Sequence, residues 1–243
     1  SLLEADIIEL TGNHNNDYGY DPYMESLAWF RENGFLTVGG GADESDAQTP
    51  LIIQQNGHSI ALVACNWAGP YYALANDDPD LLGGVRPGAA DCAGAWLRDL
   101  LPQLDAAHDV VIVTVQYVET DAYTPTEQAR FDFRALADLG ADAVLGTSAH
   151  FPQTFEFYNS EQGEAFIHYG MGNLYFDQTF FAGVRFFMDQ LFIYDGRLLT
   201  VDLFTGIIQA VGTVSALEPI EAEVVGACVA AGHRPRFVYL SSM

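Results

Sequence analysis

Residues 109–150 read DVVIVTVQYVETDAYTPTEQARFDFRALADLGADAVLGTSAH, and this stretch decides the fold. The apolar run Val110 to Val115 has the length and the β-branched content of a buried parallel strand. Thr124-Pro125-Thr126-Glu127 reads as a capping box with proline at the first helical position, and Gly140 ends the helix it opens. A second strand, Asp142 to Leu145, follows at once. Strand, helix and strand make a βαβ unit, right-handed by default, which places the chain in the α/β class.

Upstream, Asp6 to Leu10 reads as a short strand and Asp21-Pro22 as the N-cap and first turn of a helix ended by Gly34. Phe35 to Val38 is a second strand. Leu51 to Ile53 and Ile60 to Ala64 flank Asn56-Gly57, a hairpin signal because both residues tolerate positive φ. Residues 66–88 read as a long irregular loop containing the solvated run Asp77 to Asp80, and a helix is expected from about Ala89 to Leu104. Downstream, strands are expected at Phe155 to Tyr158, Phe166 to Tyr169 and Leu191 to Tyr194. Asp195-Gly196 turns the last of these into Leu198 to Phe204. Ser215 to Glu218 is a further capping box whose helix Gly232 ends, and Phe237 to Leu240 reads as an edge strand.

Composition narrows the function. Against 33 acidic residues stand nine basic ones, all arginine, for a net charge of −24. Nucleic-acid binding requires clustered basic residues and is disfavoured. A polyanion would be repelled unless a bound cation bridged it. No apolar run reaches the ~18 residues of a membrane helix. Cys65, Cys92 and Cys228 match no zinc spacing and read as small buried apolar residues; one disulfide at most is open to them. The aromatic segment from Tyr175-Phe176 through Phe180-Phe181 to Phe186-Phe187 is either core or a surface for self-assembly.

The polar residues collect where strands are expected to stop. Gly12-Asn13-His14 follows the first strand, Gln116 to Glu119 the buried strand at 110–115, and Gly146 to His150 the strand at 142–145. Gly170 to Asn173 follows His168-Tyr169. In open α/β sheets ligands bind beyond the carboxyl ends of strands, so these loops are expected to share a crevice. Asn13 offers a carbonyl oxygen, His14 and His150 imidazoles, Asp17 and Glu119 carboxylates, a set suited to a divalent cation. Asn15 to Gly19 is equally a plain polar turn. His58 and His108 read as surface residues and His168 as a satisfied core histidine.

In this order the motifs LTGNHNNDYG at 10–19, GFLTVGGGADESDA at 34–47, the hairpin through Gly57 to Cys65, 109–120, 125–158 and IHYGMGNLYFD at 167–177 resemble the CapA-like proteins of capsule and poly-γ-glutamate synthesis. The resemblance spans about residues 5–205, leaving 206–243 as a poorly matched extension of a single domain over 1–243. It implies a two-sheet sandwich flanked by helices, related to the calcineurin-like metallophosphoesterases, whose earliest strands would precede Ser1. It also implies action at the outer face of the cell envelope. By the family motif Asn13 and His150 are metal ligands for Mn, Fe, Zn, Mg or Ca. His14 is a proton donor or phosphate contact, and Glu119 is the acid/base candidate. The family shows histidine where this chain has Gln116, and the first histidine of a ligand pair where it has Ser148. A branch with Gln and an SxAH-like string at these places implies a different polar cluster of Gln116, Glu119, His150, Gln153 and Glu156, with Asn173 beside it, for a sugar or an oxygen-liganded cation. Two functions follow as expectations. One is a metal-dependent hydrolase or transferase acting on an anionic polymer or a sugar-containing substrate. The other is a non-catalytic envelope protein that binds or assembles.

Overall fold

The computed structural model describes residues 5–81, 84–174, 185–210 and 213–214. The expected helix from Ser215, the strand at 237–240, Cys228 and the aromatic segment 175–181 lie outside the described residues. The chain divides into two compact units, Ser1–Val118 and Glu119–Met243.

The first unit holds β1 (Ile7–Glu9), α1 (Tyr20–Glu32), β2 (Leu36–Val38), β3 (Gly40–Gly41), α2 (Glu44–Ala47), β4 (Leu51–Gln55), β5 (His58–Asn66), β6 (Gly88–Ala89), α3 (Trp96–Ala107) and most of β7 (Val110–Thr120). β1 pairs parallel with β2, Ile7 opposite Leu36. β4 and β5 form the expected hairpin, with Asn56 and Gly57 at φ 53° and 83°. β5 pairs parallel with β7 from Ile60 opposite Val110 to Asn66 opposite Gln116. Ala64 and Cys65 on β5 and Val110 and Val111 on β7 are buried, so successive residues, which point to opposite faces, are both covered.

Several boundaries differ from the sequence reading, β8 (Ala143–Ala149) among them, so that Ser148 lies within that strand and does not follow it. α1 begins at Tyr20, so Asp21 lies in its first turn and is no cap; Gly19, at φ 95°, precedes it. A carboxylate there still meets the positive end of the helix dipole. α3 begins at Trp96, because Gly88 and Ala89 instead pair antiparallel with β3. Trp96 then anchors the helix start by donating its indole N–H to the Asp91 carbonyl at 2.7 Å. β7 runs on to Thr120, so Gln116 and Glu119 belong to the strand and do not follow it. The ladder is extended because Asn66 continues β5 opposite Gln116 and the Trp67 N–H reaches the Gln116 carbonyl at 2.8 Å.

The cysteines also depart from expectation. Cys65 and Cys92 form a disulfide across a separation of 27 residues. Both are buried, so the apolar surroundings were legible and the bond was not.

The second unit holds α4 (Glu127–Asp138), β8 (Ala143–Ala149), β9 (Phe155–Asn159), β10 (Glu164–His168), β11 (Arg185–Tyr194), β12 (Arg197–Ala210) and β13 (Thr213–Val214). α4 is capped by Thr126, whose hydroxyl oxygen accepts the Ala129 N–H at 3.1 Å; Pro125 lies before the cap and not at the first helical position. β10 pairs parallel with β8 and antiparallel with β9. β11 and β12 make a long hairpin over Asp195-Gly196, at φ 51° and 69°.

Alternation on β9 sorts the layers. Phe155 and Phe157 point to the hairpin and pack with Phe166, Leu191, Val201 and Leu203. Glu156 and Tyr158 point the other way, to α4. Within this unit two sheets therefore face each other with a helix outside. His168 is fully buried in the apolar layer, its Nδ1 2.6 Å from Asp189 Oδ2 of β11 and its Nε2 without a hydrogen-bond partner among the described residues, so it is a core histidine satisfied at one nitrogen only. Phe186 and Phe187 are core residues.

Candidate functional site

In the first unit the turn after β1 is built from its own amides. The Asn15 side chain donates to the Leu10 carbonyl at 2.6 Å and the Asn15 backbone to Gly12. His14 is 73% exposed at the side chain and its Nδ1 lies 2.7 Å from Asp17 Oδ2, so these two candidates pair locally on the surface. Such an exposed pair contributes little stability. Asn16 is buried and donates to the carbonyls of Tyr72 and Pro87, at 2.8 and 3.1 Å.

The inner side of the turn is held from β5 and β7. Asn66, fully buried, donates to the Thr11 carbonyl at 2.7 Å and accepts the Gly69 N–H at 2.8 Å. Its backbone exchanges hydrogen bonds with Ala90 and Cys92, so the Cys65–Cys92 disulfide fastens the same node. Gln116, also buried, donates its side-chain N–H to Asn13 Oδ1 at 3.0 Å. Below the turn, Thr11 Oγ1 makes a short hydrogen bond to the Glu9 carboxylate, and burial pushes that carboxyl up to about 7.

In the second unit, His150 Nδ1 lies 3.1 Å from Asn173 Oδ1 and Nε2 lies 3.9 Å from Glu119 Oε2. An amide oxygen opposite Nδ1 fixes the proton there and turns Nε2 toward the carboxylate. The His150 backbone N–H is held by the Thr120 carbonyl at 3.1 Å. Ser148 sits two residues earlier at φ 76°. Among the described residues the other non-glycine ones with positive φ, Asn56 and Asp195, occupy hairpin turns that favour them; Ser148 lies inside β8, where such a φ is strained.

Two candidates are placed elsewhere. Gln153 is buried and donates to the Ala122 carbonyl at 3.0 Å, fastening two loops. Glu156 faces α4, where Arg134 grips both its oxygens at 2.9 and 2.8 Å and the Tyr169 hydroxyl donates to it. The Glu156 hydrogen bonds and charge raise the Arg134 pKa, while burial and then Glu156 raise that of Tyr169. Glu156 is a structural anchor of the helix. Its strand neighbours Phe155 and Phe157 gave the signal, since alternation turns it from their face. Asn16 and Asn66 went unnoticed in the sequence, although Asn66 ends an apolar strand run as plainly as Gln116 does.

The implied divalent cation can be tested against these donors. An unprotonated imidazole nitrogen and the Asn13 oxygen are both acceptors that a cation can bridge, whereas an imidazole N–H donates to such an oxygen directly. A glutamine N–H and the same oxygen complement each other directly. Among the described residues no three His, Cys, Asp or Glu side chains gather as a metal shell. The candidate donors that the structure brings together are Asn13 with Gln116 in the first unit and Glu119, His150 and Asn173 in the second.

The family model described as bacterial capsule synthesis protein PGA_cap matches residues 2–178. The chain is 28% identical to the PGA biosynthesis protein CapA of Bacillus subtilis over 71% of its own length and 43% of that protein. It is also 28% identical to a probable polyglutamine synthesis accessory protein of Mycobacterium tuberculosis, over 79% of this chain and 50% of that one. It thus spans half or less of the length of these relatives. A crystal structure of a hypothetical protein from Thermus thermophilus superimposes with a TM-score of 0.48 at 15% identity, covering 89% of this chain and 78% of that one. No helix among the described residues is long and apolar enough to cross a membrane. With the family model covering well over half of its residues, the chain belongs to the bacterial capsule synthesis protein PGA_cap family.

Proposed function

We propose that this chain is a metal-independent ligand-binding domain of a capsule or poly-γ-glutamate assembly apparatus, working at the outer face of the cell envelope. The observation that carries this reading is the Gln116–Asn13 amide pair at 3.0 Å, which satisfies the Asn13 oxygen with a proton where a metal site would use a cation. The buried Cys65–Cys92 bond supports an oxidising compartment. This reading takes a metallophosphoesterase-related fold as its scaffold.

Elemental analysis of the purified protein after dialysis against manganese, iron and zinc tests it, together with hydrolysis of bis(p-nitrophenyl) phosphate. The expected outcome is substoichiometric metal and no hydrolysis, with Gln116→His raising manganese affinity by about tenfold or more. Stoichiometric metal in the wild type, with hydrolysis abolished by Gln116→Ala, would refute it.

A second reading rests on His150. With Nδ1 directed to Asn173 and Nε2 toward Glu119, His150 is set for proton transfer, the role a hydrolase or transferase needs. Release of γ-glutamyl peptides from poly-γ-glutamate by the wild type but not by His150→Ala would favour it over the binding domain.

A further inference from the structure

We propose that the Cys65–Cys92 disulfide assembles the candidate site of the first unit: closing it clamps the two arms that hold the Asn13 turn, so that Asn13 is held against Gln116 only in the oxidised chain. This adds a redox control to the site of the ligand-binding reading, and it rests on that reading only in taking the amide pair as the site.

The first ground is where the turn is gripped. Gly12, Asn13, His14 and Asn15 lie between two buried anchors, Thr11 and Asn16, which are 1% and 5% exposed. The Thr11 carbonyl accepts the Asn66 side-chain N–H at 2.7 Å, and Asn66 is the chain neighbour of Cys65. The Asn16 side chain donates to the Tyr72 carbonyl and, at 3.1 Å, to the Pro87 carbonyl, on the segment that runs through β6 to Cys92. One anchor of the turn therefore sits on each arm that the disulfide joins.

The second ground is the character of the remaining contacts between the arms. They meet through an isolated bridge, with the Asn66 N–H on the Ala90 carbonyl at 2.8 Å and the Cys92 N–H on the Asn66 carbonyl at 3.1 Å. Beyond the bridge, Gly88 and Ala89 pair with β3, itself only Gly40–Gly41, and the Ala90 N–H reaches the Gly39 carbonyl. Short pairings of this kind are the ones that open locally, and a covalent bond beside them keeps the ends together.

Packing passes the constraint on to the turn. A Cβ at Gly39 would fall 2.5 Å from both Ala64 Cβ and Thr11 Cγ2, so the residue before Cys65 and the first anchor close over Gly39 without slack. Gln116 is held differently, by the ladder of β5 on β7 from Ile60 opposite Val110 to Asn66 opposite Gln116. The half of the amide pair that depends on the disulfide is therefore Asn13. Opening the bond takes a thiol reductant. A dithiol supplies two electrons and two protons, the S–S bond breaks to leave Cys65 and Cys92 as thiols, and the reductant closes its own disulfide. The site is thus completed where disulfides form.

Backbone amide NMR relaxation of the folded chain tests this. The samples are the oxidised wild type, wild type isolated and held in a dithiol, and the Cys65→Ala/Cys92→Ala variant. Order parameters of residues 12–15 are expected at about 0.85 in the oxidised chain and below about 0.6 without the bond, with α1 and the Gln116 backbone rigid throughout. Asn66→Ala is expected to loosen the same residues although its disulfide is intact. The proposal is overturned if the turn stays rigid without the bond, or if Asn66→Ala leaves it rigid. It is equally overturned if α1 and Gln116 loosen with the turn or the reduced chain unfolds, because the bond then supports the whole unit. The two wild-type samples decide even where a variant does not fold. No ligand or metal enters the measurement, so its failure leaves the binding-domain reading standing. Stoichiometric manganese in the wild type would sink that reading without touching the relaxation result.

Discussion

The buried pair of His168 and Asp189 offers the sharpest test of the packing of the second unit. Their side chains are 0% and 2% exposed, their hydrogen bond is 2.6 Å, and the rings of Phe187, Phe155 and Phe166 lie 4.9, 5.8 and 6.1 Å from the imidazole. Among the described residues His168 Nε2 and Asp189 Oδ1 have no hydrogen-bond partner. Each group is therefore compensated by the other through one contact, and removing either leaves a lone buried polar group. Asp189→Leu or His168→Leu alone should cost about 3–5 kcal/mol, the penalty for orphaning one member of a buried pair. At roughly 2–4 °C per kcal/mol for a chain of this size, that lowers Tm by roughly 6–20 °C. The double variant removes both polar groups from an apolar layer and should recover most of the loss, because apolar replacement of a whole buried pair is often neutral or stabilising. Urea unfolding followed by far-UV circular dichroism supplies the four corners of the double-mutant cycle. The reasoning fails if either single variant costs less than about 1 kcal/mol, or if the double variant loses the sum of the two.

Two further outcomes are expected. Burial holds the Glu9 carboxyl near 7 against its ordinary 4.5, so the folded chain binds its proton more tightly than the unfolded one. The stability associated with that proton is complete below about pH 4.5 and declines by about 3 kcal/mol as pH rises through 7; Glu9→Gln flattens this decline in urea titrations between pH 4 and 8. Replacing Cys65 and Cys92 by alanine together frees a loop with a separation of 27 residues and should cost about 3.5 kcal/mol, measured by urea unfolding against the oxidised wild type.

The parts of the fold legible in the sequence were those that local chemistry dictates. Asn56-Gly57 and Asp195-Gly196 announced two hairpins because few other residues accept their φ, and Thr126 marked the start of α4 although Pro125 shifted the expected cap. What escaped depends on partners far along the chain. Cys65 and Cys92 are brought together only when β5 ends beside the segment after β6. Likewise, the α3 boundary was misread because Gly88 and Ala89 pair with β3, a contact some 48 residues away that no helical periodicity reveals. The candidate site shows the same division. Asn13, Gln116, Glu119 and His150 stood out by type and position, but only the register of β5 on β7 shows that Gln116 meets Asn13.

The Gln116–Asn13 pair also bears on how easily this protein could change trade. Codons for glutamine and histidine differ only in their third base, so one nucleotide substitution would exchange the amide for an imidazole on the same strand. The Asn13 oxygen would then face an imidazole nitrogen that either donates its N–H or, in the other tautomer, offers a lone pair to a cation shared with that oxygen. A single base change therefore separates the amide pair from an imidazole–amide pair able to share a cation, so the two versions of the site are mutational neighbours.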